Sequence, residues 1–208
     1  MHPENWKTYL VTQESLSEGR STTEIVEAAI AGGIDVIQLR EKETSARNRY
    51  DLGRRLTERT ADADVPLIVN DRVDLAEAID ADGVHLGQSD LPVEVARELL
   101  GPDAIVGCSA SSVETAREAE AAGADYLGVG AVYGTTSKEG EEEGVGLDRI
   151  EAIADAVSIP IVGIGGITAD NAAPVVEAGA AAVAVITAIT AADDPETATR
   201  RLRDAVDG

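Results

Sequence analysis

An α/β fold of eight alternating strand and helix units, closed into a barrel, is what this sequence predicts. Two observations carry it. Short apolar, β-rich runs alternate with segments of helical periodicity along the whole chain. Several helical segments also end on small-residue turns just before the next run, as in Glu27-Ala28-Ala29-Ile30-Ala31-Gly32-Gly33-Ile34-Asp35 ahead of Val36-Ile37. The same grammar returns at 76–83 before Val84-His85-Leu86, at 119–125 before Tyr126-Leu127-Gly128-Val129-Gly130, and at 176–180 before 181–186. Glycine past a helix end is a natural stop, and an unbroken apolar run after it suits a strand buried on both faces.

In chain order the strands are expected at 9–11, 36–39, 67–70, 83–86, 105–108, 126–130, 161–164 and 182–186. Helical patterns follow at 23–31, 46–60, 73–79, 93–100, 113–122, 148–156, 171–178 and 197–206. Parallel strands with right-handed crossovers permit an open doubly wound sheet or a closed barrel. Eight units favour the barrel, so the expected architecture is α/β, a single (β/α)8 TIM barrel over residues 1–208 with short connections.

Bulk composition narrows the function. With 44% hydrophobic residues in 208, the chain has enough length for one well-buried core. Its 39 acidic against 17 basic residues give a net charge of -22, which argues against nucleic acid as a partner. The acidic residues are spread through periodic segments, the pattern of a folded protein suited to a high-salt cytoplasm. No apolar run is long enough to span a membrane. The polar segment 1–7 lacks an apolar signal core, so a cytoplasmic protein is expected. The single cysteine, Cys108, excludes an internal disulfide.

A barrel of this kind places its active site where the strands end, at the C-terminal face. Those positions read Thr12, Gln38 to Lys42, Asn70-Asp71-Arg72, Gly87 to Asp90, Ser109, Gly130 to Lys138, Gly165-Gly166 and Ile186-Thr187, almost wholly polar or glycine. The strand beginnings read Ile34, Pro66, Val84 and Pro160. In Gln38-Leu39-Arg40-Glu41-Lys42 the alternation of a strand sends Gln38, Arg40 and Lys42 to one face and Leu39 and Glu41 to the other. Two cations and an amide on one face make an anion cradle. Taken alone, the same cluster could be a solvated helix start.

These strand ends resemble the thiamine phosphate synthase family, which joins a pyrimidine-methyl diphosphate to a thiazole phosphate. The resemblance runs from Tyr9-Leu10-Val11-Thr12 to Ile186-Thr187-Ala188-Ile189. Its specific pieces are Gln38-Leu39-Arg40-Glu41-Lys42, Asn70-Asp71, Asp82-Gly83-Val84-His85-Leu86-Gly87-Gln88-Ser89-Asp90, and Gly130 with Thr135-Thr136-Ser137-Lys138. Where the family has Pro-Thr-x-Thr-Lys, this chain has Gly134 for the proline and Ser137 for the second threonine.

The resemblance implies two phosphorylated heterocycles as partners and Mg²⁺ as cofactor. Asp71 and Asp90 would hold the ion by hard carboxylate oxygens, the remaining positions going to water and diphosphate. Each aspartate could instead cap a helix. Arg40, Lys42 and Lys138 would surround the diphosphate, Ser109 would be another diphosphate or substrate contact, and Asn70 would contact the pyrimidine. Gln38, Leu39 and Glu41 belong to the same substrate-binding segment. Ser109 could also cap the next helix, and Lys138 could be a solvated charge in a long polar loop. Thr135, Thr136, Ser137, Gly166, Ile186 and Thr187 would hold the thiazole phosphate through hydroxyls and backbone amides. His85 is expected to be packed or supporting, Cys108 core, and no Cys-His or Ser-His-Asp nucleophile set is expected. A thiazole tautomerase-like relative and a noncatalytic phosphate-binding barrel are the competing readings. The sequence leaves a homo-oligomer open.

Overall fold

The computed structural model describes residues 2–134 and 144–207. Eight strands form a closed barrel in chain order: β1 (Thr8–Val11), β2 (Val36–Leu39), β3 (Leu67–Asn70), β4 (Gly83–Leu86), β5 (Ile105–Ala110), β6 (Tyr126–Gly130), β7 (Ile161–Ile164) and β8 (Ala182–Val185). Every neighbouring pair is parallel, and β8 closes on β1 through the register Tyr9 opposite Ala184. Around the barrel run α1 (Thr22–Ala31), α2 (Ala46–Asp62), α3 (Val73–Ile79), α4 (Val93–Leu100), α5 (Val113–Ala121), α6 (Leu147–Ala154), α7 (Ala173–Glu177), α8 (Thr187–Thr190) and α9 (Pro195–Asp207). The expected (β/α)8 barrel is the observed one.

Local chemistry sets the boundaries. Ser21 and Glu24 form a reciprocal capping box at the start of α1, and Ser112 with Thr115 does the same for α5. Asp194 accepts the Thr197 N–H, and Pro195 supplies a preset φ, so α9 begins two residues earlier than periodicity implies. Strand β5 runs two residues past its expected end and takes Ser109 into the sheet. Strand β8 stops one residue early because Ile186, at φ −111 and ψ −85, leaves extended geometry and starts α8. That four-residue helix is absent from the sequence expectation. Among the described residues no helix is long and apolar enough to cross a membrane.

The period-2 alternation sorts the apolar residues into two layers. Trp6, Tyr9, Val36, Ile68, Tyr126 and Val162 belong to the cluster that fills the barrel. Leu10, Ile37, Leu39, Val69, Val106 and Leu127 belong to the larger cluster between the strands and the helices. At the N-terminal end Trp6 is fully buried with its ring edge-on to Tyr9 and to Tyr126, 5.8 and 5.1 Å between centroids.

A repeated aspartate secures the strand beginnings. Asp35, just before β2, accepts the Thr8 N–H at 2.9 Å. Asp82, just before β4, accepts the Leu67 N–H at 2.8 Å, and Asp125, just before β6, accepts the Val106 N–H at 2.7 Å. In each case the aspartate's own N–H donates back to the carbonyl of the residue it staples. These bonds satisfy a donor at the start of each strand, the first residue in β1 and β3 and the second in β5. The position before β8 is Ala181, whose N–H donates to the Ile161 carbonyl but which has no carboxylate to return.

Candidate active site

At the C-terminal ends of the strands lies a cavity of about 470 Å³. Gln38, Arg40, Lys42, Asn70, Asp71, Asp90, Ser109 and Ile186, all singled out in the sequence, line it together. The strand alternation does this work: β2 sends Gln38 and Arg40 inward, while Leu39 packs outward against α2 beside Gly53. Glu41 also turns away, accepting the Glu14 N–H at 3.0 Å and the Thr22 hydroxyl at 2.8 Å. Neither the Leu39 nor the Glu41 side chain lines this cavity.

At the mouth, charges of both signs meet. Lys42 Nζ lies 3.1 Å from Asp71 Oδ2. Asp71 has φ 63, the left-handed region that aspartate tolerates better than most residues, and its N–H donates to the His85 carbonyl at 2.8 Å. It makes no helix cap, because the residue before α3 is Arg72 and that end has no side-chain cap. Asp90 accepts the Gly87 N–H at 2.7 Å, closing the turn after β4. Burial raises the Asp90 carboxyl above its ordinary pKa and the charge of Asp71 adds to the rise, while Gly87 N–H and Lys42 oppose it. Two carboxylates therefore face one another with a lysine beside them. Among the described residues no group of three or more His, Cys, Asp or Glu gathers as a metal cage. A pair still suits Mg²⁺, which is commonly held by one or two carboxylates plus substrate phosphates.

Arg40 is oriented by the β1 end, its N–H donating to Thr12 Oγ1 at 3.1 Å and its Nη1 to Gln13 Oε1 at 2.6 Å. Ser109 is not a helix cap; Ser112 takes that role at α5. The Ser109 carbonyl instead accepts from Gln88 Nε2 at 2.6 Å, and its Oγ lies 3.0 Å from His85 Nε2. Cys108 is buried, and burial pushes its thiol above the ordinary value. Gly165 and Gly166 both take positive φ, 103 and 68, which explains the double glycine. Gly166 and Thr187 are exposed at the rim and do not line this cavity. Thr135, Thr136, Ser137 and Lys138 lie outside the described residues.

The floor holds what the sequence reading missed. Gln38 Nε2 donates to Tyr9 OH at 2.8 Å, Tyr9 OH is 3.0 Å from Tyr126 OH, and Tyr126 OH is 3.0 Å from His85 Nδ1. With the His85 to Ser109 bond, five side chains from β1, β2, β4, β5 and β6 form one polar chain. It contains a Ser-His pair, with a tyrosine standing where a triad would have aspartate. Alternation was the available signal: Tyr9, Gln38, His85, Ser109 and Tyr126 all hold inward positions, yet tyrosines in strands read as core.

A family model described as thiamine monophosphate synthase matches residues 8–189, from the first strand into α8. The chain belongs to that family. Thiamine-phosphate synthase of Natronomonas pharaonis is 67% identical over 207 residues, 99% of this chain and 97% of the relative. The same-named protein of Haloarcula marismortui is 63% identical over 206 residues, 98% of each chain. Among solved structures, thiamine phosphate pyrophosphorylase from Pyrococcus furiosus superposes with a TM-score of 0.89 at 42% identity, covering 98% of this chain and 97% of that one. Membership of the thiamine monophosphate synthase family makes the chain an enzyme of the transferase kind.

Proposed function

We propose that this cavity condenses 4-amino-2-methyl-5-(diphosphooxymethyl)pyrimidine with thiazole phosphate, giving thiamine phosphate and diphosphate. The observation that carries the reading is the convergence of Arg40, Lys42, Asp71 and Asp90 on one mouth above a neutral floor of tyrosine and amide. A cationic and carboxylate rim suits a metal-bound diphosphate, and an uncharged floor suits a flat heterocycle.

The bond to break joins the pyrimidine methylene to a diphosphate oxygen. Electron donation from the aminopyrimidine ring stabilises the methylene cation as that bond lengthens, so no protein nucleophile is needed. The chain's work is to stabilise the departing charge and hold the thiazole nitrogen in line. Arg40 presents a planar fork to diphosphate oxygens, Lys42 can swing from Asp71 to them, and Ser109 and Lys138 complete the set. Asn70 and Gln38 orient the pyrimidine. Asp71 and Asp90 would hold Mg²⁺, which when bound neutralises diphosphate oxygens. Gly166, Ile186 and Thr187 are assigned to the thiazole phosphate with Thr135, Thr136 and Ser137, at the place after the seventh and eighth strands where barrels often bind phosphate. We assign the reaction to the cytoplasm and treat residues 1–208 as one domain.

The thiazole tautomerase-like alternative is disfavoured by the paired carboxylates and their lysine, which a reaction without diphosphate does not require. Incubation with both phosphorylated heterocycles and Mg²⁺ tests the proposal. Thiamine phosphate and diphosphate should appear in equal amounts; release of diphosphate without a coupled product, or no release at all, would overturn it.

A further inference from the structure

The polar chain on the barrel floor has a direction. Gln38 enters it through an amide N–H, which can only donate. Tyr9 OH accepts that bond, and its own hydrogen has one remaining partner among its bonds, the oxygen of Tyr126. Tyr126 OH, already accepting, then donates to His85 Nδ1. An imidazole that accepts at Nδ1 carries its proton at Nε2 when neutral, so Nε2–H donates to Ser109 Oγ. The hydroxyl of Ser109 accepts this bond and keeps its hydrogen for an acceptor in the cavity. This is the arrangement in which every buried hydroxyl hydrogen is used, the condition buried polar groups generally meet.

The barrel is shaped around these groups. A methyl added to Gly107, beside Tyr126 in the sheet register, would overlap the Tyr126 ring at Cζ. One added to Gly128 would lie 2.8 Å from His85 Cε1. Tyr126 is fully buried and Tyr9 nearly so, and burial raises both phenols far above their ordinary pKa, keeping them as neutral hydroxyls.

We propose that Tyr9, Tyr126 and His85 are positioning residues: a one-way hydrogen-bond chain that fixes His85 as the Nε2–H tautomer and thereby makes Ser109 a hydroxyl donor to an anionic ligand oxygen, and not a nucleophile. The inference rests on the diphosphate reading of the site for the identity of that oxygen, but the tautomer does not depend on it. A Ser-His pair wired this way cannot pass the serine proton to the imidazole, since the nitrogen facing Ser109 is already protonated. The resemblance to a hydrolytic triad is thus inverted by one tyrosine.

The chain has only two histidines, so ¹⁵N NMR of the full-length protein in a His2→Gln background reads His85 alone. In the neutral imidazole the proton should sit on Nε2 with Nδ1 as a hydrogen-bonded acceptor. Tyr126→Phe should shift the Nδ1 resonance as its donor is lost and lower kcat about tenfold, the equivalent of one hydrogen bond. In a Ser109→Ala background the same change should alter kcat less than about twofold, because the chain acts through Ser109. Tyr9→Phe provides a second, more distant interruption with the same expected pattern. A proton on Nδ1 in the wild-type chain, or equal losses from Tyr126→Phe with and without Ser109, would overturn the inference. A wild-type protein that makes no thiamine phosphate while carrying the proton on Nε2 would sink the proposed reaction and support the wiring.

Discussion

Lys42 Nζ and Asp71 Oδ2 stand 3.1 Å apart across the ends of β2 and β3, with the two side chains 57% and 28% exposed. A pair so open to water contributes at most about 1 kcal/mol to stability. Its position at the cavity mouth is therefore better explained by what each partner does to a ligand than by what it does for the fold.

Asp71→Asn and Asp90→Asn should each lower kcat/KM on the order of 100-fold if both carboxylates hold the ion that offsets the diphosphate. Asparagine tolerates the left-handed backbone at position 71, so the melting temperature should move little. Steady-state kinetics across an Mg²⁺ series decides it. Full activity in either variant, with the metal still required, would place the ion elsewhere.

Arg40→Met and Lys42→Met are expected to raise the KM for the pyrimidine diphosphate more than that for the thiazole phosphate, by about tenfold or more for the former. Equal rises for both substrates would remove these residues from the diphosphate.

Gly107→Ala should be far more damaging than its size implies, because the added methyl would overlap the Tyr126 ring. Overpacking of this kind costs about 1–3 kcal/mol, and the displaced ring should also lose its bonds to Tyr9 and His85. Denaturant melts and kinetics on the same variant should show both losses; an unchanged melt would mean the floor is looser than its contacts imply.

Salt should stabilise the protein. With 22 excess negative charges, self-repulsion weakens the folded state until counterions screen it, and the screening length falls from about 10 Å at 0.1 M to about 3 Å at 1 M. A melting temperature that rises between 0.1 and 2 M KCl is the expected result. A flat or falling one would detach the acidic excess from any adaptation to brine.

The fold was legible because apolar runs and glycine stops recur along the chain, and the site because strand alternation sorts Gln38, Arg40 and Asn70 inward. The same alternation turns Leu39 outward, and Glu41 turns with it. The helix Thr187–Thr190 was hidden because four residues are too few to show a helical period, and Ile186 continues the strand's apolar run. The floor was hidden for another reason. Tyr9 and Tyr126 are as buried as any core residue, and only their hydroxyl partners, brought from separate strands, show that they belong to a polar chain.

The aspartates before β2, β4 and β6 divide the barrel into four doublets, three locked at the base and one left unlatched. Resistance to opening should then be uneven around the ring, with the β7–β8 seam giving way first when the barrel breathes. In amide hydrogen exchange, Ile161 should trade its proton faster than Thr8, Leu67 or Val106. Ala181→Asp, which restores the missing carboxylate, should slow Ile161 and close the gap.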